Sequence, residues 1–253
     1  MPFTLSHVAA IVPLARLPFS TPALVAGAVA PDVPYFARAL PVPVSAQSWY
    51  EPLFNATTSH TVTGSLVVAV PYAVVLTVAW WVAERPVGAL VGAPPAPEPQ
   101  RRQRPAAAWV LLSVLVGIAT HLLWDSFTHS DGYVVEHWSA LSDPAVGGMT
   151  WARLVQHAST VLGLVVLAHV VWRARKDFRP RLGAVVAVAA VVAAGVLLGA
   201  LREWRQAETY GTPVSVEALL RSSAEGAVVV LVGASLVFVL VWWAAQLRRE
   251  RER

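Results

Sequence analysis

Cysteine is absent from the chain, so disulfides and thiolate metal ligands are excluded, and any metal must rest on His, Asp, Glu or water. Charge is scarce too: 13% of the 253 residues are charged and 56% are hydrophobic, against about 25% and 45–50% in soluble domains. That deficit excludes an ordinary soluble globular protein and marks an integral membrane protein. The formal charge of +4 comes almost wholly from arginine in a few short segments. Such clustering reports membrane topology rather than nucleic-acid binding. No Gly-x-Ser-x-Gly elbow, Ser-His-Asp pattern or Gly-rich phosphate loop is present to suggest a serine hydrolase or a nucleotide-binding protein. The opening residues lack the basic segment and clean apolar core of a cleavable signal peptide, so the N-terminus is expected to be retained. No internal repeat of about 20–50 residues is visible.

Long apolar runs are plentiful. Five stretches reach spanning length: Val62 to Ala83, Ala106 to Phe127, Leu154 to Trp172, Gly183 to Leu201 and Gly226 to Trp243. The expected fold is therefore all-α, an integral membrane bundle of about five transmembrane helices plus short N-terminal helices. Three parts follow: an N-terminal short-helix segment over 1–61 contributing site residues, the bundle over 62–245, and a basic tail over 246–253. Pro13, Pro18 and Pro22 break the N-terminal segment into short helices, near Leu5 to Leu17 and Pro22 to Ala30. The Ala/Val/Gly run 183–200 carries no polar handle and reads as a packing helix with small residues for close approach.

Basic residues alternate by loop. Arg85, Arg101, Arg102 and Arg104 follow the first span; Arg173, Arg175, Lys176, Arg179 and Arg181 follow the third; Arg248, Arg249, Arg251 and Arg253 end the chain. Those three ends are expected in the cytoplasm, and the mixed or acidic loops 128–153 and 202–225 on the outside. Trp80-Trp81 and Trp242-Trp243 then fall at the cytoplasmic interface, as an aromatic belt requires.

The chemistry concentrates at the outer end of the second span, in His121-Leu-Leu-Trp-Asp125-Ser-Phe-Thr-His129. Residues four apart share a helix face, so His121 and Asp125 can address one atom, with His129 close to that face. Imidazole nitrogen and carboxylate oxygen suit zinc or a similar divalent ion, and such groups in a membrane helix usually mark function. The alternative is a hydrogen-bonded polar cap, with Asp125 paired to His129 or Arg153. The charge-derived topology brings two more candidates to the same membrane face. Asp32 lies between Pro31 and Pro34 at a helix end or bend, and His60 stands at the mouth of the first span. Each also has a plainer reading, Asp32 as a turn former and His60 as a cap. His7, by spacing alone, reads as a packing or interfacial residue. His157 can be a ligand or part of a polar helix start with Gln156 and Ser159. His137, in a loop, and His169, near the cytoplasmic end, carry no site signal.

Four segments together resemble a family of bacterial membrane proteins of unassigned function. They are Met1-Pro-Phe-Thr-Leu-Ser-His7, Gly27-x-x-x-Pro31-Asp32-x-x-Tyr35-Phe36, Thr58-Ser59-His60 and His121-x-x-x-Asp125-x-x-x-His129-Ser130. The ligand order is similar, more distantly, to the membrane-bound metal-dependent hydrolases and to the all-helical zinc-dependent phospholipase C and nuclease P1 class. The resemblance implies His7, Asp32, His60, His121, Asp125 and His129 as metal ligands. Those hydrolases usually read His-Arg-Gly-x-Thr-His-Ser in the middle segment; here Ser59-His60-Thr-Val-Thr-Gly64 has one His and no Arg. Either His129 supplies the extra ligand or the site holds fewer ions.

The expected function is a membrane-embedded, metal-dependent hydrolase of the plasma membrane. Its site would face outward and its substrate would be a lipid phosphoester or ester. Asp32 or Asp125 would double as general base beside a divalent metal such as zinc. Two alternatives stand: a non-catalytic membrane protein with a structural metal, and a lipid- or isoprenoid-modifying biosynthetic enzyme. The expected partners are membrane lipid and a lipid or small-molecule substrate, with no nucleic acid; no oligomeric state is implied. A transporter fits less well, because spans three to five have no ionisable residue at mid-depth and no inverted repeat is visible.

Overall fold

The computed structural model describes residues 4–38, 40, 42–93 and 105–252. The arginines 101, 102 and 104, most of the Pro/Ala linker from Gly92 to Pro105, and the terminal Arg253 lie outside the described residues. Within them the architecture is all-helical. Short helices come first: α1 (Thr4–Ile11), α2 (Thr21–Val29), α3 (Val33–Ala37), α4 (Glu51–Phe54) and α5 (Ala56–Ser59). Five long ones, with a short helix among them, follow: α6 (Val62–Val91), α7 (Ala107–Thr128), the short α8 (Tyr133–His137), α9 (Trp151–Ala174), α10 (Leu182–Tyr210) and α11 (Val216–Arg251). The long five are each long and apolar enough to cross a membrane. The chain is thus a helical multi-pass membrane protein.

The helix ends follow ordinary capping chemistry. The Thr150 side chain accepts from the Arg153 N–H and the Ser215 side chain from the Ala218 N–H, opening α9 and α11. Gly211 closes α10 at φ 63°, the left-handed position where glycine carries no Cβ penalty. Two helices run past the apolar windows that suggest their limits. Helix α10 continues to Tyr210 rather than stopping near Leu201, because Arg202, Glu203, Arg205 and Gln206 are good helix formers. Helix α6 continues through Pro86 to Val91 rather than ending near Ala83. A proline deprives the carbonyl four residues back of its donor. Here that carbonyl is Val82 O, and it accepts the indole N–H of Trp243 at 3.0 Å.

The chain divides into two compact units. One holds α1 to α3 up to Tyr35, α4 and α5, the part of α6 up to Trp81, and α7 to α9. Its centre is the packing of α2 on α7. Gly27 and Gly117 face each other there: a Cβ on Gly27 would collide with the Val114 carbonyl, and one on Gly117 with the Leu24 carbonyl. Around this crossing Ala23, Ala26, Ala30, Ala69, Ala73, Val114 and Ile118 form a buried apolar core. The amide of Ser20 donates to Ser113 Oγ at 2.9 Å, fixing the start of α2 against α7. The other unit contains the α10–α11 hairpin and the end of α6. Gly195, Gly199 and Gly226 let the hairpin's backbones meet, and Ser222 Oγ donates to Gly199 O at 2.9 Å.

Candidate metal centre

The buried stripe of α7 runs Ser113, Val114, Gly117, Ile118, His121, Asp125, Thr128. Its spacing is that of one helix face. The face that packs apolar residues against α2 in mid-helix therefore presents His121 and Asp125 one and two turns later. Both are buried, at 0% and 6% exposure. Three further segments close on them: α1 brings His7, the 3-10 turn Ala30–Asp32 brings Asp32, and the end of α5 brings His60. Asp32 is 0% exposed and His7 1%. A buried carboxylate or imidazole without compensation is costly, so these four burials demand an explanation.

Two backbone carbonyls decide how the imidazoles point. His121 Nδ1 donates to Ala28 O at 2.7 Å, one of the carbonyls that the end of α2 leaves free. His60 Nδ1 donates to Ala56 O at 2.7 Å. With Nδ1 carrying the proton in each, both rings turn a bare Nε2 lone pair inward, the usual way a protein orients metal-binding histidines. Ser59 sets His60 in place from behind, because its hydroxyl donates to Pro31 O at 2.6 Å and ties α5 to the Asp32 turn. The Tyr35 ring stands edge-on to His60 with centroids 6.1 Å apart.

The inward atoms form a small polyhedron. His121 Nε2 lies 3.2 Å from His60 Nε2, 3.1 Å from Asp125 Oδ2 and 3.6 Å from Asp32 Oδ1. His60 Nε2 lies 3.4 Å from Asp32 Oδ1 and 3.4 Å from Asp125 Oδ2. Ligand atoms on a tetrahedron with bonds of about 2.0–2.1 Å to a small divalent ion stand about 3.3–3.4 Å apart. The separations among His60, His121 and Asp32, at 3.2, 3.4 and 3.6 Å, bracket that edge. The carboxylate's other oxygen faces elsewhere: Asp125 Oδ1 is 3.4 Å from His7 Nε2 and 3.5 Å from His129 Nδ1.

Hydrogen bonding within the protein does not satisfy this arrangement. Both oxygens of Asp32, both of Asp125 and both ring nitrogens of His7 are buried with no hydrogen-bond partner. Two bare imidazole nitrogens facing each other, with carboxylates on their flanks, are all acceptors, so a proton or a cation must sit among them. As protons the accounting is uneven. Burial would lower His60, but the carboxylates of Asp125 and Asp32 outweigh it and hold its pKa at about 10. Burial and the neighbouring His121 push His7 down to about 4. For Asp32 burial acts upward and is outweighed by His121 and His60, leaving it below the usual carboxylate range. His7 therefore stays neutral, and both of its ring nitrogens stay unpaired. The donor set, its spacing and its unpaired atoms fit a metal ion, and either of two triads that share His121, His7-His121-Asp125 or Asp32-His60-His121, could hold one.

The structure therefore gathers His7, Asp32, His60, His121 and Asp125 in one place. His129, the first residue past α7, donates from Nδ1 to the backbone oxygen of Asp125 at 3.3 Å, and its ring stands 6.3 Å from that of His60. His7, which spacing alone would make a packing residue, stacks on His121 with ring centroids 3.9 Å apart and planes 20° from parallel. The remaining histidines stand outside. His157 is exposed on α9 while Gln156 and Ser159 turn inward. His137 bonds to Tyr133 O at 2.7 Å, and His169 accepts from Arg173 Nε at 3.0 Å. What sequence reasoning missed are the orienting groups: the carbonyls of Ala28 and Ala56, which carry no sequence signal, and Ser59, whose only sign is its place beside His60.

Residues 1–244 match the domain of unknown function DUF4184, and the chain belongs to that family. No curated protein matches it, and no solved structure does.

Proposed function

We propose that this DUF4184 protein is a membrane-embedded, metal-dependent hydrolase that cleaves a lipid phosphoester or ester at the outer face of the plasma membrane. The observation that carries the reading is the graded exposure of the cluster. Its floor is sealed, with Asp32, His121 and His7 at 0–1% exposure, while the side chains of His60 and His129 are 19% and 21% exposed. A sealed floor with one reachable side admits a substrate group while keeping the ligands desolvated and preorganised. A zinc-type ion held there would supply Lewis acidity toward a phosphoryl or acyl oxygen and lower the pKa of a water toward about 7.

The chain's own residues would do the rest. Asp32, His60 and His121 would hold the ion through three protein ligands. The carbonyls of Ala28 and Ala56 would keep both rings in the binding tautomer. Asp125, whose Oδ1 faces His129 at 3.5 Å on the reachable side, is the better placed of the two carboxylates to take a proton. The fully buried Asp32 is a positioning ligand. The outward placement follows from charge: Arg173, Arg175 and Lys176 lie at or just past the end of α9, and Arg248, Arg249 and Arg251 at the end of α11, marking cytoplasmic ends. The end of α7 then faces out.

The test is hydrolysis of phospholipid and lipid-phosphate substrates by purified protein, with and without a chelator. Activity lost to chelation and to Asp125→Asn, and restored by zinc, supports the proposal; activity indifferent to chelation overturns it. A second reading, a structural metal that pins the N-terminal helices to α7, is favoured by one observation. The donors come from separate segments, His7 on α1, Asp32 on its turn and His60 at the end of α5, all meeting α7, so an ion among them would pin those segments together. Metal-dependent stability without hydrolysis would select it.

A further inference from the structure

We infer that the last turns of α10 form a binding groove for an anionic phospholipid, with its phosphate on Arg205 and Arg202 and an acyl chain along Leu198 and Leu201. The groove lies in the unit of the α10–α11 hairpin and is independent of the metal reading. It measures about 460 Å³, and the side chains that line it all come from α10. Leu198, Leu201, Arg202, Arg205 and Thr209 recur there at the spacing of one helix face. The stripe changes character along its length, apolar as far as Leu201 and cationic from Arg202. No carboxylate lines it, although Glu203 and Glu208 belong to the same turns. Glu203 is partly buried, whereas Arg202 and Arg205 are exposed.

Depth in the membrane selects the occupant. The apolar run that begins at Gly183 ends at Leu201, and Trp204 and Tyr210, 62% and 77% exposed, follow it. Exposed Trp and Tyr just past an apolar run mark the interface between hydrocarbon and water. Arg202 and Arg205 therefore stand at the level of lipid headgroups, while the exposed Leu198 and Leu201 face acyl chains. A guanidinium carries only donors, in a fork that matches two oxygens of one phosphate. The Thr209 hydroxyl is spent on Arg205 O at 2.7 Å. Arg202 also lies in the field of Glu225, which stands 4.0 Å from Arg221, so Arg205 is the stronger contact. Both arginines sit at the opposite end of α10 from the basic segment 173–181, where the charge bias that sets topology gives no account of them.

Full-length protein in detergent micelles, titrated with phosphatidylglycerol or phosphatidylcholine and read by native mass spectrometry, tests this. Wild type should hold phosphatidylglycerol about tenfold or more tightly than phosphatidylcholine. Arg202→Gln/Arg205→Gln should bind phosphatidylglycerol about thirtyfold more weakly, the loss expected for two basic residues at a lipid surface. Arg248→Gln/Arg249→Gln removes the same charge from the end of α11 and should leave the affinity unchanged. Glycerol phosphate, the same chemistry without acyl chains, should not displace the lipid. Equal weakening by the two double variants, no preference between the lipids, or displacement by glycerol phosphate overturns the inference. Should the groove variant fail to fold, the lipid preference of wild type and Arg205→Gln alone carry the decision.

Discussion

The site-bearing unit and the α10–α11 hairpin solve the same packing problem with glycine, yet they bury opposite kinds of residue. At the α2–α7 crossing Gly27 and Gly117 bring backbones together, and in the hairpin Gly195, Gly199 and Gly226 do so. The most apolar stretch of α7 is 28% buried within the protein, against 6% for that of α11. What α7 and its neighbours bury includes His7, Asp32, His121 and Asp125; the hairpin buries Ala207, Ser222 and Val239. Close packing of small residues is enough to pair two helices in lipid. It gives no reason to bury carboxylates and imidazoles with unpaired atoms. That contrast separates a unit whose packing only joins helices from one whose packing also gathers groups that could hold a metal ion.

The largest expected effect is at Asp125, whose oxygens face every histidine of the cluster. Asp125→Ala should abolish metal binding, read as metal content per chain, and a variant with full metal content would dissolve the contrast. Next comes metal removal. Saturating metal at about 1,000 times its Kd would stabilise the fold by about 4 kcal/mol. Chelation should lower the thermal midpoint and expose the N-terminal helices to protease, while cleavage in the hairpin stays unchanged. Third, Gly117→Leu should weaken the α2–α7 crossing by about 1–3 kcal/mol or more through overpacking and reduce metal retention. Gly199→Leu should damage the hairpin comparably and leave the metal count intact. Measuring stability and metal content on both variants sharpens the comparison directly.

A fourth effect is on pH. Without an ion, His60 stays charged up to about pH 10 because two carboxylates face it. A bound ion would need that nitrogen bare, so loading would release its proton. Affinity should then rise about tenfold per pH unit between about pH 6 and 9, measured by chelator competition; affinity flat over that range would remove His60 from the ligand set. The smallest effect is at His137, exposed and bonded to its own helix. His137→Ala should change stability by less than about 0.5 kcal/mol and leave metal content untouched.

The legibility of this molecule differs by residue. His121 and Asp125 were readable because the helix period alone puts positions four apart on one face. Asp32 and His60 were readable through the resemblance and through the charge-derived topology, which says which membrane face a segment occupies but not which residues touch. His7 was not readable from spacing, since nothing local distinguishes it from a packing histidine; only its resemblance-borne role suggested more. The passage of α6 through Pro86 was hidden for a similar reason, as its remedy is an indole 161 residues away in sequence.

Composition and periodicity by themselves determined that this is an all-helical, multi-pass membrane protein with a His-x-x-x-Asp pair at the end of its second span. Both properties are local, set by the run of apolar residues and by 3.6 residues per turn. Tertiary structure alone decided that His7, Asp32 and His60 meet that pair, and that the Ala28 and Ala56 carbonyls turn two imidazole lone pairs inward. Those outcomes depend on how closely α2 approaches α7 at Gly27 and Gly117. A separation set by contact between distant backbones is written in no single stretch of chain.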